Sequence, residues 1–122
     1  MPDEQEYLAF IKKLLANPKK GEALAWLKAS SDVCFRNLGE LGTTAESVAF
    51  VQRLYDLGAK DVTAVEINEY ATGQNTGKLV VDLPDDPVQR SQLFHWVAQQ
   101  AESRGFEADD DFGQSYLFVW LD

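Results

Sequence analysis

The single histidine, His95, and the single cysteine, Cys34, are the side chains best suited to act as base and nucleophile. A Cys-His or Ser-His-Asp mechanism needs the imidazole within hydrogen-bond reach of the attacking atom. His95 shares a helical stripe with Gln92, Gln99 and Glu102, a pattern that faces solvent. Cys34 lies in Val33-Cys34-Phe35, which reads as a short buried strand with the thiol as a small hydrophobe. The sheet would then separate the two groups, and a dyad is disfavoured. One Cys and one His also cannot supply the ligands of a zinc site.

Carboxylates are plentiful. The chain has 20 Asp and Glu against 11 Lys and Arg, a formal charge of −9 over 122 residues. The densest sets are Asp109-Asp110-Asp111 and Asp82 with Asp85 and Asp86. Asp86 has a sufficient structural role as a helix N-cap. Asp109 to Gly113 does not carry the EF-hand spacing, and a solvated acidic loop is the simpler reading. Gly73-Gln74-Asn75-Thr76-Gly77 is glycine-rich but leads into a strand, so it does not cradle phosphate at a helix N-terminus. No GxxxxGK[ST], GxGxxG or GxSxG motif occurs. No catalytic residue, metal or cofactor is expected; the alternative to a binding role is a small carboxylate- or divalent-cation-dependent enzyme using, for example, Glu69, Asp109 and Asp111.

The net charge opposes nucleic acid, because the basic residues that would offset it are few. Lys12, Lys13, Lys19 and Lys20 gather near the end of the first helix, where the helix dipole favours cations; a site for an anionic partner is the other reading. No apolar stretch approaches a membrane span. The acidic start, Met1 to Glu6, is unlike a secretory signal, and one cysteine makes no internal disulfide, so a cytoplasmic setting is expected.

The elements that must position these groups follow from periodicity and caps. Asp3 with Glu6 opens a first helix carrying Leu8, Ile11 and Leu15, ended by Asn17-Pro18. A short second helix covers Glu22 to Lys28. Ser31 to Leu38 is read as the first strand. Thr43 with Glu46 caps a helix bearing Val48, Val51 and Leu54, with Gly58 just past its end. Val62 to Asn68 and Lys78 to Leu83 alternate as strands, joined by a hairpin loop over Glu69 to Gly77. Asp86-Pro87 starts a helix that runs to about Arg104, and Ser115 to Leu121 is the last strand.

The order after residue 30 spells βαββαβ. The expectation is an α+β, ferredoxin-like sandwich with a four-stranded antiparallel sheet in the order 4-1-3-2. Residues 1–30 would form a two-helix arm and residues 31–122 the domain. Alternation assigns Val65, Ile67, Leu79, Val81, Leu83, Leu117, Val119 and Leu121 to the helix-covered face. Val62, Ala64, Val80, Tyr116, Phe118 and Trp120 fall on the other. Three aromatics in a row need a cover: the arm (with Leu8, Ile11, Leu15, Trp26 and Leu27), or a second copy in a homodimer. Base stacking on such a face is the remaining reading, and the charge opposes it.

In that topology three loops share one edge. They bring together an acidic rim of Glu40, Glu69, Tyr70, Gln74, Asn75, Asp109, Asp110 and Asp111. Such a rim would steer a basic protein partner. The functional expectation is therefore a non-enzymatic interaction or regulatory module.

Overall fold

The computed structural model describes residues 4–31, 33–105 and 108–121. Helix α1 spans Glu4–Ala16, α2 Ala23–Lys28, α3 Thr44–Asp56 and α4 Pro87–Ser103. The caps on α3 and α4 form as the sequence implies. The Thr43 hydroxyl accepts from Glu46 N at 3.0 Å, and the Asp86 carboxylate accepts from Gln89 N at 2.9 Å. Gly58 follows α3 with φ of 112°, a conformation that costs glycine nothing. The expected N-cap of α1, Asp3, lies outside the described residues.

Among the described residues seven strands form: β1 Gly21–Glu22, β2 Phe35–Leu38, β3 Asp61–Ala64, β4 Asn68–Tyr70, β5 Gly73–Thr76, β6 Lys78–Asp82 and β7 Tyr116–Trp120. They make two sheets, β1-β3-β6-β7, all antiparallel, and β2-β5-β4, of mixed direction. The ferredoxin-like sandwich with order 4-1-3-2 is not what forms. The stretch Glu69 to Gly77, expected as a loop, instead supplies most of β4 and all of β5.

The cause is visible in the ladder. Ala64 pairs with Leu79 and Asn68 with Asn75, which is one register, so β3–β4 and β5–β6 are a single long hairpin turning at residues 71–72. The other edge of β5–β6 is shared end to end. The short β2 lies parallel to residues 73–76, and β7 takes residues 78–82. At the handover, Gly39 N donates to Thr76 O at 2.9 Å and Leu121 N to Gly77 O at 2.7 Å. Gly39 turns the chain there with φ of 45°, and a methyl on it would sit 2.5 Å from the Leu121 carbonyl oxygen. The last strand, β7, therefore continues the line of β2 and does not lie beside it.

Helices α2, α3 and α4 cover the inner face of the larger sheet. The core there includes Leu27, Leu38, Val51, Leu54, Leu79, Val81, Leu93, Leu117 and Leu121. On the outer face, Tyr7, Ile11 and Leu14 of α1 pack with Val65 and Val80, flanked by Phe118 and Tyr116. Burial of a side chain such as Ile11 is worth about 1.5–3 kcal/mol. Phe10 meets the Phe118 ring edge-on at 5.1 Å.

Several assignments of face change. Val62 and Ala64 belong to the inner core, because they stand directly opposite Val81 and Leu79. Val65 faces outward toward α1 while Ile67 faces inward. The switch occurs at Glu66, whose φ of 50° interrupts the alternation. The two N-terminal helices also part company. Trp26 and Leu27 join the inner core, so α1 alone lies on the aromatics. Val33 is exposed and Cys34 half-buried, so the expected buried strand is reduced to Leu38 as its buried member. No helix among the described residues is long and apolar enough to cross a membrane.

Candidate functional site

Helix α1 does not cover the whole outer face. Beyond its C-terminal end the sheet opens into a cleft of about 390 Å³, bordered by Leu15, Lys20, Glu22, Asp61, Asp82 and Tyr116, with Thr63 and Val80 among its other lining residues. The strands present these groups by alternation. Asp61 stands directly opposite Asp82, and Asp82 opposite Tyr116, so the three lie in one row across β3, β6 and β7.

Glu22 enters from β1, which ends where α2 begins. Its carboxylate caps α2, accepting from Leu24 N at 3.0 Å and Ala25 N at 2.8 Å. It also accepts from the Tyr55 hydroxyl at 2.6 Å. That hydroxyl accepts in turn from Val62 N at 3.0 Å and lies 3.2 Å from Asp61 Oδ1. One phenolic proton cannot serve both carboxylates at once, and the shorter contact identifies Glu22 as the main acceptor. Although burial pushes the Glu22 carboxyl up, the hydrogen bonds from Tyr55, Ala25 and Leu24 hold it below the usual range. Burial also raises the Tyr55 phenol, and the Glu22 carboxylate adds to that rise.

Asp82 behaves differently. Burial lifts its carboxyl above the usual range; the Lys60 charge works against the rise, and the Asp61 and Asp85 charges add to it. Lys60 pairs with Asp85 at 3.5 Å, on an exposed surface. The cleft thus holds two carboxylates across one ladder position, with no hydrogen bond to the Asp82 carboxylate from any described residue. Chemically this suits a cation. His95 is exposed on α4, and no hydrogen bond among the described residues joins it to Cys34.

The rim residues proposed from sequence are distributed over several places. Glu69 and Tyr70 are exposed on β4, where Glu69 accepts from Gln74 Nε2 at 3.3 Å. Gln74 accepts from the Trp26 indole at 2.9 Å, and Asn75 donates to Asn37 Oδ1 and to Gly39 O. Glu40 follows that turn, its amide on the Leu121 carbonyl. Asp109 accepts from Tyr7, whereas Asp111 takes a two-pronged contact from Arg90 at 2.6 and 3.3 Å. Asp109, Asp110 and Asp111 border an open groove of about 580 Å³ with Phe94, His95 and Glu102. Among the described residues no group of three or more His, Cys, Asp and Glu could hold a metal ion.

Asp82 was visible in the sequence as part of a carboxylate set; its pairing with Asp61 was not. Placing the hairpin turn at residues 71–72 would have put the two opposite each other. Glu22 and Tyr55, 33 residues apart, carry no sequence signal of their contact. Compared with known protein families, with curated proteins and with solved structures, the chain matches none.

Proposed function

We propose that this chain is a non-enzymatic interaction module for a basic protein partner, and that the cleft beside α1 receives an arginine or lysine side chain. One observation carries the reading: Asp61 and Asp82 face each other across the β3–β6 ladder at the mouth of the cleft. Like charges directly opposite on a sheet destabilise it, and a cation between them would relieve the repulsion. The Tyr116 ring at the same mouth offers that cation an aromatic neighbour. The net charge of −9 would raise the encounter rate with a basic protein. The single cysteine supports a cytoplasmic setting.

The test is calorimetric titration with a short arginine-rich peptide at low salt. Any acidic protein attracts such a peptide, so charge must be controlled. The double variant Asp61→Asn/Asp82→Asn and the double variant Glu46→Gln/Asp56→Asn, on the exposed side of α3, each remove two charges. The reading expects the first to weaken binding at least about tenfold and the second by less than about threefold. Equal losses from the two would reject the cleft as the anchor. A parallel melt with millimolar Mg²⁺ or Ca²⁺ separates a basic side chain from a hard metal cation.

A further inference from the structure

A second cavity, of about 270 Å³, has the opposite character. It is bordered by Lys19, Lys20, Trp26, Arg36, Glu69 and Gln74, with Pro18 and Ile67 beside them. In a chain carrying −9, three cations and one carboxylate meet here.

Arg36 borders the cavity. It comes from β2 and is half-buried, with its guanidinium carbon 6.0 Å from the centre of the Trp26 ring. Nη1 donates to the Trp26 carbonyl at 3.0 Å, which anchors one end of the planar group. Nε is enclosed and, among the described residues, meets no acceptor, and no hydrogen bond among them uses Nη2. None of the three ion pairs among the described residues includes Arg36. Buried charges are normally paired, and a guanidinium bordering a cavity with Nη2 unengaged is a donor suited to an oxyanion.

The surroundings hold that guanidinium in place. The Trp26 indole donates to Gln74, and Gln74 donates to Glu69, so the single carboxylate of the cavity is already engaged. Lys20 donates to the Leu15 carbonyl at the end of α1 and keeps two further donors. Lys19 is exposed, with its backbone fixed by Asn17 on one side and Ile67 on the other. Two positive charges remain after Glu69 is counted against the three cations. A phosphate monoester carries about −1.5 to −2 near neutral pH, which matches that balance, whereas a carboxylate carries only half of it.

We infer that this cavity is a binding site for a phosphate monoester, held by the Arg36 guanidinium with Lys19 and Lys20 beside it. The site is separate from the acidic cleft, apart from Lys20, which borders both.

Thermal melts and Trp26-sensitive fluorescence titrations test it, with inorganic phosphate, glycerol 3-phosphate, a phosphoserine peptide and acetate, all at matched ionic strength. Expected are saturable stabilisation by the phosphates and an affinity at least about tenfold weaker in Arg36→Gln. Lys19→Gln, at an exposed position that cannot disturb the core, should weaken binding about three- to tenfold, and Arg53→Gln, on the exposed face of α3, should not. Preference for glycerol 3-phosphate identifies a small-molecule source; preference for the peptide identifies a modified protein. Acetate binding as tightly as phosphate, no saturation, or equal losses in the Lys19 and Arg53 variants would each overturn the assignment.

Discussion

The Tyr7 hydroxyl accepts the Phe118 amide proton at 2.7 Å, although the two residues are 111 positions apart. Strand β7 is an edge strand, and its odd-numbered residues pair with β6, as the bonds of Leu121 to Gly77 and Leu83 to Ser115 mark. Phe118 therefore turns its amide toward the open edge, where Tyr7 closes it and passes its own proton to Asp109 at 3.1 Å. An apolar edge strand is a template for pairing with other chains, and this hydroxyl blunts it.

Tyr7→Phe removes that acceptor while keeping the ring, which also packs edge-on against Phe112. The expected loss is about 1–3 kcal/mol, because the Phe118 amide is left without a partner. Urea denaturation measures it, and light scattering should show more self-association. A variant as stable and as monomeric as the parent would mean that water satisfies the edge equally well.

Asp82→Asn should stabilise the protein at neutral pH, by about 0.2–1 kcal/mol. The sign follows from linkage. Burial raises the folded-state carboxyl of Asp82 above its unfolded value of 3.8, with Asp61 and Asp85 adding to the rise. The folded state therefore holds its proton more tightly, and the parent loses stability as pH climbs from that value through the raised one. The advantage of the variant should shrink to nothing well below pH 3.8. An advantage that grows in acid would contradict this.

Asp111→Asn should act with the opposite sign. The hydrogen bond from Arg90 holds the Asp111 carboxyl below its ordinary 3.8, with the Gly113 amide assisting. Its contribution is present above that value and disappears as pH falls through the lowered one. The pair is partly exposed, so the loss at neutral pH is about 0.2–1 kcal/mol. Melts from pH 2 to 7 should show the two proteins converging in acid.

Gly73→Ala tests the junction of β2 with β5. A methyl at Gly73 would run into the Phe35 backbone, which pairs with it in the parallel ladder. No side-chain rotation relieves a backbone clash. A loss of about 2–3 kcal/mol is expected, together with faster amide exchange over residues 35–38. Unchanged exchange there would show that β2 is held by other contacts, such as the Ser47 hydroxyl on Leu38 N at 2.9 Å.

Helices were the most legible elements. Thr43 with Glu46, and Asp86 with Pro87, state their boundaries locally, and the four helices lie close to where caps and periodicity put them. The final strand and its alternation were equally clear, with Leu117, Val119 and Leu121 inside and Phe118 under α1. Gly73 to Thr76 was not. Its composition is that of a loop, and it becomes a strand between β4 in the hairpin and a parallel neighbour 38 residues earlier. The phase of β3 was misread because one residue, Glu66, adopts a left-handed conformation that the pattern of hydrophobes does not announce.

Local chemistry thus determined which segments are helical and which faces of the last two strands, β6 and β7, are apolar. The tertiary structure alone decided the partition into two sheets, the parting of α1 from α2, and which charges meet. Strand pairing is chosen by competition between distant segments for the same backbone edge. The Asp61–Asp82 row and the enclosed Arg36 Nε exist only once that competition has been resolved.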